Sequence, residues 1–356
     1  MKYKNILLFY FSGTGNAAFI TEQIKHRAIE KGLNAVVVNI ADTKTVLPEI
    51  QPDSIIGFCS PTHGFNMPPI MLKFIGKMKR NQSKNTRAFV LNTRAGMKLY
   101  KLFTPGLNGV ALILPAIMLR LKGYKIIGFR PIDMPSNWIL LHPGIRSKVV
   151  TSIAKRCSKI AQKFTDKLIS GRTVYRGLIS IPVDLAIMPI ALAYYFIGRF
   201  MLAKTFIASD KCKHCSLCIN QCPVHAIQEK QGINYWSFSC ESCMKCINSC
   251  PERAIETAHG FTFFIWWLIL SVLTTLLTNF LLNTNFVKAN LKILNESLIF
   301  NLCSIALSFF TVFIAYKIMH FLLHYRFFNR IFTYTSFTKY RFWRRYKFTQ
   351  KFSTDH

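Results

Sequence analysis

Acidic side chains are scarce: the 356-residue chain carries 15 Asp and Glu against 46 Lys and Arg, a formal net charge of +31. A surplus that large seeks polyanions, so nucleic acid and anionic lipid are the partners to weigh. No basic helix or aromatic RNA-binding motif stands out, which argues against nucleic acid. No secretory leader is expected either. Lys2 and Lys4 precede an apolar run, but Ile6 to Phe11 is too short for an h-region and enters a Gly-rich turn. The expected compartment is therefore a reducing cytoplasm, where clustered cysteines read as metal ligands rather than disulfides. No Gly-Lys-Ser/Thr follows a Gly-rich loop, which excludes a P-loop NTPase.

Apolar residues are plentiful, at 51% of the chain, and concentrated late. That distribution predicts a soluble front and a membrane-embedded back. The basic residues flank the hydrophobic segments and fill the tail, so lipid head groups are the better match for the charge.

Residues 1 to about 170 alternate short apolar runs with helical patterns. Ile6–Tyr10, Ala35–Ile40, Ser54–Cys59, Arg87–Leu91 and Lys125–Phe129 read as strands, with helices such as Ala17–Lys31 and Pro69–Lys79 between them. Such alternation predicts a parallel sheet covered on both faces. Residues 171–205 form an apolar linker, 206–258 hold two cysteine clusters, 259–324 hold two uncharged apolar stretches, and 325–356 form a basic, aromatic tail.

The cysteine clusters carry the strongest signal. Cys212, Cys215, Cys218 and Cys222 precede Pro223; Cys240, Cys243, Cys246 and Cys250 precede Pro251. Three thiolates at three-residue steps cap three corners of a 4Fe–4S cubane, and the fourth cysteine starts a helix leading away, so it ligates the other cluster. One cluster then takes Cys212, Cys215, Cys218 and Cys250, the other Cys240, Cys243, Cys246 and Cys222. Structural zinc sites prefer two separated cysteine pairs. Each half also ends in an Ala-Ile pair, Ala226-Ile227 and Ala254-Ile255. The region resembles the bacterial-type ferredoxins at all eight ligand positions, and the resemblance implies two low-potential clusters exchanging single electrons.

The first strand runs into Ser12, Gly13, Thr14, Gly15 and Asn16, with a helix starting near Ala17. Strand, Gly-rich turn and helix N-terminus together make an anion site. Two readings compete. Gly13-x-Gly15-x-x-Ala18 fits a dinucleotide fingerprint, for which Asp42 is a loose acidic partner. The alternative is a flavin phosphate loop using the Ser12 and Thr14 hydroxyls. Pro61, Thr62, His63, Gly64, Phe65 and Asn66 follow the third strand, and Asn92, Thr93, Arg94, Ala95 and Gly96 follow the fourth, where an isoalloxazine ring would lie outside a sheet of order 2-1-3-4-5.

On these residues the first ~170 positions resemble flavodoxin. The whole chain is similar to the flavodoxin–ferredoxin fusion proteins (the EFR-type ferredoxin family), with an added C-terminal membrane anchor. The resemblance implies an FMN at the front and two 4Fe–4S clusters behind it. One departure is Ala17, where flavodoxins usually place Thr; the lost hydrogen bond to a charged acceptor is worth about 1–3 kcal/mol.

Phe261–Leu282 and Leu298–Tyr316 are each close to the ~20 residues needed to cross a bilayer. Lys317, Arg326, Arg330, Lys339, Arg341, Arg344, Arg345 and Lys347 put the tail on the cytoplasmic side. Leu178 to Phe200 contains Asp184 and is expected to lie at the interface or pack as a linker, since a crossing there would separate the two cofactor domains. Cys59, Cys157 and Cys303 are expected to be packing residues. The expected role is an electron carrier at a cytoplasmic membrane face, with redox proteins as partners. Two alternatives stand beside it: an oxidoreductase reducing a quinone or other lipid-soluble acceptor at the flavin, and a membrane ferredoxin whose front domain is an empty docking module.

Overall fold

The computed structural model describes residues 3–42, 46–83, 85–273, 296–346 and 348, without the side chains of 272, 273 and 296–304. The front of the chain forms β1 (Asn5–Tyr10), α1 (Asn16–Glu30), β2 (Asn34–Asn39), β3 (Ser54–Pro61), α2 (Pro69–Lys77), β4 (Arg87–Leu99), β5 (Leu102–Thr104), α3 (Ile113–Leu121), β6 (Lys125–Pro135) and α4 (Ser147–Ile169). Strands β2, β1, β3, β4 and β6 pair in parallel in that order, and the short β5 folds back antiparallel on β4. Five parallel strands in the order 2-1-3-4-5 are the flavodoxin-like arrangement.

The alternation of side chains along each strand builds two cores. Ile6, Leu8, Ile55 and Phe89 face α1 and α4, packing on Ile20, Ile24 and Phe164. Leu7, Phe9, Ile56, Phe58 and Val90 face α2 and α3, packing on Met71, Ile75 and Leu119. Period-two strands buried on both faces read as continuous apolar runs, which is why the sequence exposed them.

Two strands run longer than expected. Asn92 to Gly96, read as a loop, continues β4 and pairs in parallel with Pro131 to Pro135 of β6. Gly96 permits this: a Cβ there would stand 2.6 Å from the Asp133 carbonyl oxygen.

From Arg176 to Lys204 the chain is helical throughout: a tight turn (Arg176–Ser180), α5 (Ile181–Ala193), a π turn (Tyr194–Gly198) and α6 (Arg199–Lys204). This run and Ile305–Leu322 are the two helices, among the described residues, long and apolar enough to cross a membrane. The long helix nevertheless touches the front domain along its length. Asp184 accepts from the Gly109 backbone N–H at 3.0 Å, and Asn66 Nδ2 donates to the Ala191 carbonyl at 2.7 Å. Buried Asp184 is thus partnered by the protein, which resolves the cost of a carboxylate in an apolar helix.

The second domain contains β7 (Phe206–Ala208), α7 (Leu217–Asn220), β8 (Ile227–Lys230), β9 (Ile233–Trp236), α8 (Lys245–Ser249) and β10 (Ile255–Thr257). Strands β7 and β10 pair antiparallel, as do β8 and β9. Beyond it come α9 (His259–Leu268), a π turn (Ile269–Leu273), α10 (Glu296–Leu322) and α11 (Arg326–Tyr334). The expected crossing Phe261–Leu282 is described only as far as Leu273, and the expected Leu298–Tyr316 is part of the longer α10.

The basic, aromatic tail packs part of itself on the protein and leaves other rings outside: Phe327, Tyr334 and Phe342 are 69%, 61% and 60% exposed. Tyr346 is 2% exposed within the core of the second domain, and the Trp343 indole donates to the Ile139 carbonyl at 2.6 Å.

Candidate functional site

The two cysteine loops share a backbone. In the first, His214 and Ser216 take left-handed φ angles of 51° and 56°; in the second, Ser242 and Met244 take 49° and 62°. These are the same two positions after the first cysteine of each set. His225 and Arg253, each three residues past the fourth cysteine, repeat the conformation at 49° and 50°. Such turns aim successive thiols to one side, and left-handed φ at non-glycine residues is uncommon enough to mark a built feature.

The Ala-Ile repeat now has a role. The Ala226 N–H donates to Cys222 Sγ at 3.2 Å and the Ala254 N–H to Cys250 Sγ at 3.3 Å. Cys240 Sγ accepts from the Ser242 N–H at 3.4 Å. Asn234, on β9, reaches both Cys212 and Cys218 with its Nδ2 at 3.7 Å. Nothing in the sequence singled out Asn234, because its partners lie 16 and 22 residues upstream across a hairpin.

The thiols fall into two electrostatic groups. Cys212 responds to Cys250 and Cys215, and Cys218 to Cys212 and Cys250. Cys240, Cys243 and Cys246 each respond to Cys222. This grouping matches the crossed assignment of the fourth cysteines. Burial pushes the Cys218 thiol up to about 11 and those of Cys240 and Cys243 up to about 12, with neighbouring thiols adding to the rise. Thiolates gathered in such numbers need positive charge at their centre, which an iron core supplies. Among the described residues no three metal-binding side chains converge closely enough for a single ion. A tetrahedral zinc would draw its sulfurs to within about 4 Å of one another, whereas a cubane holds its thiolates farther apart. The residues fit two 4Fe–4S clusters: Cys212, Cys215, Cys218 and Cys250 would hold one, Cys240, Cys243, Cys246 and Cys222 the other.

The front site forms where β1, β3 and β4 end. The backbone N–H groups of Gly13, Thr14, Asn16, Ala17 and Ala18 find no acceptor among the described residues. With the dipole of α1 behind them, they are suited to an anion. A cavity of about 380 Å³ starts at Asn16 and runs between Pro61, Thr62, Gly64 and Phe65 on one side and Thr93 and Arg94 on the other. That volume lies within the roughly 300–1,000 Å³ usual for small-ligand sites. His63 is buried beside Phe11, its Nδ1 has no partner, and burial holds its pKa down at about 4. The open amides suit an anion and the cavity suits a small ligand.

The side chains of this loop are otherwise engaged. Ser12 Oγ accepts from the Gly15 N–H at 3.1 Å, and Asn137 Nδ2 donates to Thr14 Oγ1. Asn16 donates to the Pro135 carbonyl at 2.8 Å and accepts from the Tyr346 hydroxyl at 2.5 Å. Phe348 covers Gly15, and the backbone of Cys243 lies on Gly13. Asn92 is buried, donating to Thr62 Oγ1 at 2.6 Å and Asn108 Oδ1 at 3.1 Å, and Arg94 pairs with Asp133 at 2.6 Å. An anion here would therefore be held by backbone amides rather than hydroxyls. Asn92 and Gly96 serve the strand extension.

Asn137, Trp138, Tyr194, Asn234 and Tyr346 belong to the site and were not anticipated. Trp138 donates to the Ser242 carbonyl at 3.1 Å, and the ring of Tyr194 lies 5.6 Å from that of Trp138 and directly on Gly64. These aromatics fill the space between the front cavity and the second cysteine loop. Cys59 and Cys157 are buried packing residues, as expected, and Cys303 lies outside the described side chains.

Residues 206–228 and 237–253 each match the 4Fe-4S binding domain family. No curated protein matches the chain. Among solved structures it is similar to the rubredoxin oxygen:oxidoreductase of the anaerobe Desulfovibrio gigas, at 12% identity over 48% of this chain and 37% of that one, with a TM-score of 0.30. The chain thus spans well under half of that enzyme. Flavodoxin 1 of Bacillus cereus is similar at 16% identity over 46% of this chain and 98% of its own, TM-score 0.30. A short-chain flavodoxin associated with a non-canonical PDU bacterial microcompartment is similar at 12% identity over 46% and 98%, TM-score 0.31. The fold assignment rests on the strand order itself. The chain joins a flavodoxin-like domain to a ferredoxin-type domain with two 4Fe–4S motifs, and its class is that of iron–sulfur electron-transfer proteins.

Proposed function

We propose that the chain passes electrons between its two 4Fe–4S clusters and an FMN at a cytoplasmic membrane face, as a membrane-anchored relative of the EFR-type flavodoxin–ferredoxin fusions. The observation that carries this reading is the contact of Gly13 in the phosphate loop with Cys243 in the second cysteine loop. It brings the Gly-rich loop and the second cysteine loop side by side. The flavin would exchange one or two electrons and each cluster one; the protein supplies proximity, burial and hydrogen bonds to sulfur.

The same contact supports a membrane topology. The domains flanking Arg176–Lys204 touch each other, so that helix does not separate them and lies along the front domain. Helices α9 and α10 instead leave the second domain together, Phe261 packing on Tyr316 with ring centres 5.5 Å apart. Tyr346 returns the chain to Asn16, which puts the C-terminal segment on the side of the cofactor domains. Separate redox proteins would act as donor and acceptor.

A second reading is favoured by the engaged side chains of the phosphate loop: the front domain as an empty docking module for the clusters. Anaerobic purification in detergent, with iron and flavin quantified together, separates the two. About eight irons and one FMN per chain support the two-cofactor carrier; eight irons with no flavin after FMN addition reject it in favour of the docking module.

A further inference from the structure

The ring cavity of the front domain is lined only by residues between Asn16 and His142, none of them from the apolar helices. A lipid-soluble ligand has another place to go. A second cavity, of about 640 Å³, opens between the long helix and α10 and ends on the second domain. Its walls are aromatic and aliphatic, with Phe200, Phe238, Val312 and Phe313 among them. Phe196 and Phe313, at 65% and 45% exposed, continue the cavity onto the outer apolar surface of the helices.

One end is polar. Lys204 Nζ donates to the Tyr235 hydroxyl at 2.6 Å and to the Trp236 carbonyl at 2.5 Å. The His320 ring stands edge-on to Tyr235 with centres 5.2 Å apart, and its Nε2 is buried without a partner. This end lies near one cluster ligand: Phe238 lines the cavity and Cys240 is two residues on, at most about 7 Å along the chain. A hydrocarbon chain alone explains neither the unpaired His320 nitrogen nor the polar end beside a redox centre. A quinone uses all three features, since its tail needs the apolar trough, its carbonyl oxygens need buried donors, and its chemistry needs an adjacent electron source.

We infer that the cavity between the long helix and α10 binds the head group of a lipid-soluble quinone, with His320 and the Lys204–Tyr235 pair at its carbonyl oxygens. This deepens the proposed electron-transfer function by placing a lipid-soluble acceptor beside the second cluster rather than over the flavin: quinone would become quinol with two electrons, passed one at a time through the clusters from the donor protein, and two protons from water.

The test uses the full chain in lipid nanodiscs, a photoreactive azidonaphthoquinone with a short isoprenoid tail, and peptide mapping. The label is expected in residues 196–204 or 309–320, competed by unlabelled naphthoquinone but not by phospholipid. It should fall at least about tenfold in His320→Leu and in the cavity-filling Val312→Phe. Iron content and the visible spectrum of each variant report whether it has folded. Labelling competed equally by phospholipid, or unchanged in His320→Leu, would overturn the inference in favour of a lipid bay; labelling elsewhere would overturn it outright. Electron transfer to a water-soluble acceptor, measured on the same preparation, separates loss of the quinone site from loss of the carrier function itself.

Discussion

Gly13 and Cys243 meet backbone to backbone. A Cβ at residue 13 would stand 2.8 Å from the Cys243 Cβ and closer still to its carbonyl oxygen, so only glycine lets the phosphate loop and the second cysteine loop touch. Gly13→Ala should therefore destabilise the folded chain by about 1–3 kcal/mol, as overpacking against rigid backbone does. It should also slow electron exchange between the clusters and any bound flavin. Gly76 is the control: it lies inside α2 with its nearest neighbour at 3.9 Å, and Gly76→Ala should stabilise by about 0.5–1 kcal/mol. Thermal unfolding of both variants checks the pair; equal effects would mean the Gly13 contact carries no weight.

The crossed ligation is open to spectroscopy. Cys222→Ser and Cys243→Ser should perturb the same EPR signal, while Cys250→Ser should perturb the one altered by Cys212→Ser. The electrostatic grouping of the thiols gives this expectation. Asn234→Leu, which removes two amide contacts to Cys212 and Cys218, should make the first cluster harder to reduce and leave the second unchanged. A potentiometric titration followed by EPR reads both effects.

How much of this the sequence showed depended on range. The eight cysteines and the five strands were legible because their signals repeat within a few residues, as fixed spacing or as period-two apolar runs. Alternation with helices made the sheet parallel, and the resemblance to flavodoxin implied its strand order. What stayed hidden joins distant parts of the chain. Tyr346 reaches Asn16 across 330 residues, and Asn66 reaches Ala191 across 125. No periodicity marks such pairs. In the tail, where aromatics and bases interleave, nothing local separates Tyr346 and Trp343, which pack on the protein, from the exposed Phe327, Tyr334 and Phe342. Asp184 looked like a polar fault in an apolar helix; its hydrogen bond to Gly109 could not be read from either local sequence.

The C-terminal segment should be held by a single buried charge. Arg345 pairs with Glu256 at 3.2 Å, with side chains 4% and 2% exposed, and its guanidinium also donates to the Ile255 carbonyl at 2.7 Å. Arg345→Met strands the Glu256 carboxylate in the interior, at a cost of about 3–5 kcal/mol. Burial already holds the Glu256 pKa above its ordinary value even with the guanidinium beside it. Limited proteolysis should then cut after residue 325 in the variant far faster than in the parent chain. Adding Glu256→Gln to the same chain should recover most of the loss, because the uncompensated charge is gone. No recovery would show that Arg345 acts through its backbone contacts alone.

His63 gives the front domain a pH dependence of known sign. Burial lowers its pKa from 6.5 to about 4, so the folded chain binds this proton less tightly than the unfolded chain does. The stability it permits is complete above pH 6.5 and is lost as pH falls toward 4, up to about 3 kcal/mol over that window. Denaturant unfolding of the parent chain between pH 7 and 5 should therefore show a decline that His63→Asn lacks, with the difference between the two curves widening as pH drops. Comparing the two chains at each pH cancels acid damage to the clusters, which is common to both. The unpaired Nδ1 of His63 faces the same test with ligand present: if FMN donates to that nitrogen, adding it should steepen the difference between parent and variant, and if FMN accepts from it, adding it should flatten the difference. Parallel curves, with and without FMN, would place His63 in the packing of the loop and outside the flavin site.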